Sequence, residues 1–134
     1  MIRPPVGGHK RKDTMKRDLD LIRDMLMVIE AAPSDLYLQS EDFLGACNDL
    51  DKIVYHLKLL NDAGLIQVLD TSTKLGDDFL VERMTFAGHD YLDAIRDKAI
   101  WEKIKDKLIP FGGQVSLDIV KELGVAFVKQ QLML

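Results

Sequence analysis

The chain has little of what usually announces special chemistry. Its 134 residues include a single cysteine, Cys47. That excludes an internal disulfide framework and fits a reducing cytosol. No stretch approaches the ~20 consecutive apolar residues of a membrane span, and the N-terminus lacks the apolar core of a signal peptide. A cytoplasmic protein without a membrane partner is the expectation. Neither a GxxxxGK[ST] nor a GxGxxG motif occurs, and Gly112-Gly113 follows no strand, so it reads as a loop. Cys47, His56 and His89 are the soft metal ligands of the part expected to fold, and no pair has zinc-type spacing. No metal and no cofactor are expected. Nothing sets Cys47 beside His56 or supplies an oxyanion hole, so no catalytic residues are assigned and the chain reads as a non-enzyme. Cys47 instead reads as a small buried residue at a turn between helices. Asp77-Asp78 reads as a solvated acidic loop tip rather than a cation site.

What is present is an ordinary globular composition, 47% apolar and 30% charged, enough for one domain. The net charge of −4 is unevenly spread. Residues 1–14 carry Arg3, Lys10, Arg11 and Lys12 against Asp13, a net of +3, which leaves −7 on residues 15–134. So acidic a body does not attract phosphate backbones over its whole surface; nucleic acid would need a local patch. Residues 1–14 have no apolar periodicity and hold two Pro and two Gly within eight positions. They read as a disordered tail, tag-derived or an upstream extension, with Met15 as the natural start. The rival reading of His9-Lys-Arg-Lys12 is a basic arm that grips nucleic acid.

The organising stretch runs from Asn48 to Ile66. Leu50, Ile53, Val54, Leu57 and Leu60 share one side at about 100° per residue, the pattern of an amphipathic helix. Asn48 suits an N-cap, Asp49 and Asp51 suit the first turn, and Gly64 suits a left-handed C-cap. Before it, Met15, Leu19, Ile22, Leu26 and Ile29 predict a helix from Met15 to Ala32, ended by Pro33. Residues 36–39 suit an edge strand, and Ser40 suits the cap of a short helix from Glu41 to Ala46. After Gly64, residues 65–69 and 79–85 predict a β-hairpin with a long turn-rich tip. Thr85 suits the cap of the next helix, which either runs on to Leu108 or breaks at Asp97. Ser116 suits the cap of a last helix reaching Leu132. That helix is apolar nearly all round, so it is buried in the monomer or forms a homodimer through residues 116–132. The expected fold is mainly α with a small β-hairpin wing: a winged helix-turn-helix over 15–97, then a helical extension over 98–134.

Several segments also carry a resemblance. Met15-Lys-Arg-Asp-Leu-Asp-Leu-Ile-Arg-Asp24, Tyr55-His-Leu-Lys-Leu-Leu60, Asp62-Ala-Gly-Leu-Ile66 and Thr85-Phe-Ala-Gly-His-Asp-Tyr-Leu-Asp-Ala-Ile-Arg-Asp97, with Trp101, resemble the YjcQ-like family of small phage and prophage proteins. The resemblance spans nearly all of residues 15–134. It implies a winged-helix domain followed by helices, in a phage or prophage setting, and carries no catalytic residues.

The outward face of the 49–62 helix is the candidate site. It is expected to present Asp51, Lys52, Tyr55, His56, Lys58, Leu59 and Asp62. DNA-reading helices bring Arg, Lys, Asn or Gln to bases and phosphates. Here two lysines stand against acids, and the wing offers Lys74 beside Asp70, Asp77 and Asp78. Tyr55 and Leu59 suit a protein contact, unless the C-terminal helices fold back over them. The favoured expectation is therefore a regulator or adaptor that binds an unidentified protein partner through Lys52, Tyr55, His56 and Leu59. The alternative is a DNA-binding transcriptional regulator using Lys16, Arg17, Lys52, His56, Lys58, Lys74 and Arg83. His89 and Asp93, one helical turn apart, are expected to share a hydrogen bond that helps join the wing to the next helix.

Overall fold

A computed structural model describes residues 16–133. It contains five α-helices and one two-stranded antiparallel hairpin among the described residues: α1 (Leu19–Ala31), α2 (Leu50–Asp62), β1 (Ile66–Asp70), β2 (Phe79–Met84), α3 (Phe86–Ile95), α4 (Lys98–Leu108) and α5 (Leu117–Leu132). Each helix starts where a side chain satisfies an exposed backbone N–H. Asp18 accepts from Leu21, Asp49 from Lys52, Thr85 from Gly88, Asp97 from Ile100 and Ser116 from Ile119. The caps at Thr85 and Ser116 are those expected, and Asp97 decides the open question by starting a separate α4.

Other boundaries move. The first helix begins at Leu19 rather than Met15, because Asp18 takes the cap; Met15 and the tail lie outside the described residues. The cap of α2 is Asp49, not Asn48. The expected helix over 41–46 is a 3₁₀ turn, Ser40–Phe43, held by a reciprocal Gln39–Asp42 capping box. Ser40 is no cap; it is buried, and its hydroxyl donates to the Asp78 carboxylate at 3.1 Å. Gly64 does adopt the left-handed conformation, at φ 75°, and turns the chain from α2 into β1.

The hairpin has a bulge at Gln67/Val68, and Leu38 adds a single antiparallel bridge to Val81 on the far side of β2. That lone bridge is what forms of the expected edge strand. The buried side of the hairpin, with Ile66, Phe79, Val81 and Met84, joins one core with Ile22, Met25 and Leu26 of α1 and Ile53, Leu57 and Leu60 of α2. Trp101 and Ile104 of α4 and Val120 of α5 belong to the same core. α5 packs on α3 and α4, and Gly124 allows the closest approach: a Cβ there would collide with the Ala94 carbonyl. Gly88 plays the same part where α3 crosses Leu65.

Candidate interaction face

The side of α2 turned to solvent is built by elimination. Ile53, His56, Leu57 and Leu60 face the core, which leaves Asp51, Tyr55, Lys58 and Asp62 opposite them. Two sequence expectations fail here. Leu50 does not join the core and remains 40% exposed. His56 is not on the outward face at all; it is fully buried.

The burial of His56 has a specific cause. Its Nε2 accepts the backbone N–H of Asp18 at 2.9 Å, and its Nδ1 lies 2.8 Å from the Lys52 carbonyl oxygen. The first contact needs a bare Nε2, so Nδ1 carries the proton and donates. Both ring nitrogens are satisfied in the neutral form. Burial lowers the ring's pKa from its ordinary value of 6.5, and the Lys52 carbonyl and nearby Asp18 only partly oppose that. Tyr55 meets the imidazole edge-on from outside, with ring centroids 5.9 Å apart.

The Asp18 carboxylate, besides capping α1, accepts from Lys52 Nζ at 2.8 Å. Burial works to raise its pKa, but Lys52 and the Leu21 N–H prevail and hold it below the ordinary carboxylate range. Lys52 is therefore turned back toward α1 rather than outward. Lys58, further along, is tied to the hairpin loop by an ion pair with Asp77 at 3.0 Å. Asp77 and Asp78 are thus not simply solvated: one holds Lys58, the other Ser40 and its neighbour's Phe79 N–H.

The remaining candidates scatter. Lys74 is exposed in the loop between β1 and β2. Arg83 lies on β2, where its Nε donates to Gln67 Oε1. Only Lys16, Arg17 and Lys52 gather around one cavity, joined there by Lys105. Tyr55 is half-buried, as is Leu59, which shares a cleft with Arg17, Asp62 and Leu117. The fold-back of the C-terminal helices is therefore partial, reaching Leu59 through Leu117. His89 is exposed, and Asp93 bonds Arg96 instead of it. Among the described residues no group of three or more His, Cys, Asp or Glu side chains is placed to hold a metal ion. None of the helices there is long and apolar enough to cross a membrane.

Sequence reasoning passed over one residue that binds the elements together. Arg23 of α1 donates to the carbonyls of Ile95 and Arg96 at 3.2 and 2.5 Å, closing the C-terminal end of α3. Trp101 adds a second link, its indole N–H donating to Asp20 at 2.7 Å.

No solved structure matches the chain. An uncharacterised protein of Haemophilus influenzae (strain Rd) is 33% identical over 119 residues, which is 88% of this chain and 99% of that protein. The family model described as "Hypothetical protein (DUF2513)" matches residues 16–114, through α4 and into the loop before α5. The chain belongs to the DUF2513 family.

Proposed function

We infer that the chain is a winged-helix regulator or adaptor, non-enzymatic and cytoplasmic, that works by docking a protein on the outward face of α2 and the adjoining wing. The winged-helix reading is supported by the order α1, Leu38 bridge, 3₁₀ turn, α2, β1, β2, with β2 between Leu38 and β1. The YjcQ-like resemblance supports a phage or prophage setting.

The observation that carries the choice of partner is the state of the lysines. A groove-reading face needs cations aimed at phosphates. Here Lys52 is drawn to Asp18 and Lys58 to Asp77, and the face shows Asp51, Asp62 and Asp70 beside them. Tyr55 and Leu59 offer partly exposed anchors of the kind that dominate protein contacts. The DNA reading retains one observation in its favour, the hairpin that follows α2, and function resides in the site rather than the fold.

The test is photocrosslinking in cells producing the full chain. A benzophenone side chain in place of Tyr55 is expected to give a discrete protein adduct that Leu59→Ala removes, while the same probe at Lys103 on α4 does not. A nuclease-sensitive adduct at position 55 would favour DNA instead.

A further inference from the structure

The cavity where α1 begins is unlike the rest of the surface. It measures about 370 Å³ and is lined by Lys16 and Arg17 before α1, Lys52 from α2, Lys105 from α4, and the Gly113-Gln114 loop, together with Asp18 and Asp20. Four cationic side chains thus converge from three elements in a body whose net charge is strongly acidic. Both carboxylates in the wall are already engaged. Asp18 takes Lys52 and the Leu21 N–H; Asp20 takes Lys105 at 3.2 Å and the Trp101 indole N–H. Lys16 and Arg17 have no carboxylate partner among the described residues.

We propose that this cavity binds a small phosphate-bearing molecule. Its wall is built rather than loose: Arg17 Nη2 donates to the Val115 carbonyl, and Gln114 Nε2 donates back to the Arg17 carbonyl. That clamp holds Arg17 at a cavity that Lys16, Lys52 and Lys105 also line. Lys52 and Lys105 offset the two wall carboxylates, so Lys16 and Arg17 supply the excess positive charge that suits an oxyanion. The N-terminal end of α1 opens on the same space and adds its positive dipole end. The site is concave and of small-ligand size, which favours a free phosphorylated molecule over a duplex backbone that lies across convex surfaces. It opens at the start of α1 rather than on the outward face of α2, with Arg17 lining both this cavity and the cleft that holds Leu59, and it does not depend on what binds at Tyr55.

Trp101 is the chain's one tryptophan and touches the site through Asp20, so its fluorescence reports occupancy. The full chain is titrated with pyrophosphate at constant ionic strength, with chloride as control and thermal unfolding as a second readout. A saturable change in the wild type is expected, weakened at least tenfold in the Lys16→Gln/Lys105→Gln double variant. Both replaced side chains reach solvent, and circular dichroism confirms the fold. No saturable response in either readout, or an unchanged affinity in the double variant, overturns the proposal. So does saturation by a short DNA duplex but not by pyrophosphate.

Discussion

A histidine sealed in a core keeps its place only while both ring nitrogens have partners and the ring stays neutral. His56 meets both conditions through Asp18 N–H and the Lys52 carbonyl. A second proton would have to sit on Nε2, facing a backbone donor, with Lys52 and Arg17 nearby and only Asp18 to offset the charge. The folded-state pKa lies below the unfolded one, so the native state binds fewer protons and stability falls as pH drops below the ordinary value of 6.5. Above that value the loss vanishes. Urea unfolding is expected to show equal midpoints at pH 7 and 8 and a lower one at pH 5.5, with most of that drop absent in His56→Gln. His56→Ala is expected to cost about 2–4 kcal/mol at neutral pH, from the void and the orphaned Asp18 N–H. A midpoint that does not change between pH 7 and 5.5 would contradict this account of the ring. None of it was legible in the sequence, where nothing local to His56, set between Tyr55 and Leu57, marks it as a buried acceptor. Its burial depends on a backbone group 38 residues away.

At the scale of elements, local signals read well at three of the five helix starts, with the caps at Asp18 and Asp49 misplaced, and distant ones did not. Thr85, Asp97 and Ser116 cap their helices because a cap is decided within three residues, and Gly64 ends α2 because only its own backbone is at stake. The helix expected over Glu41–Ala46 with Ser40 as its cap forms only as the 3₁₀ turn Ser40–Phe43, because the Ser40 hydroxyl is recruited across the chain by Asp78. α5 shows the limit of periodicity. Val120 and Gly124 face inward, Leu117, Leu123, Phe127 and Val128 are partly covered, and Ile119 stays 44% exposed. Its seating turns on Gly124, whose lack of a side chain lets the helix approach the Ala94 carbonyl. Gly124→Ala is expected to gain up to about 1 kcal/mol in helix propensity and lose about 1–3 kcal/mol through overpacking. A net fall in thermal midpoint is the expected result; a rise would show that α5 sits more loosely on α3.

The whole molecule is an acidic body whose two α2 lysines, Lys52 and Lys58, are drawn into intramolecular pairs, while the basic stretch of the sequence lies in residues 1–14. The charge asymmetry was visible from composition alone; the pairing was not, because Asp18 and Asp77 are brought to Lys52 and Lys58 only by the packing of α1 and the hairpin against α2. If α2 and the wing serve a protein partner, nucleic acid should find no foothold there. The most direct measurement is an anisotropy titration of the full chain with a random-sequence DNA duplex at low salt, repeated with Lys58→Glu. The account predicts nothing tighter than roughly micromolar affinity, the range of non-specific electrostatic binding, and no effect of Lys58→Glu on any residual signal. Submicromolar binding that weakens steeply with added salt and disappears in Lys58→Glu would contradict it.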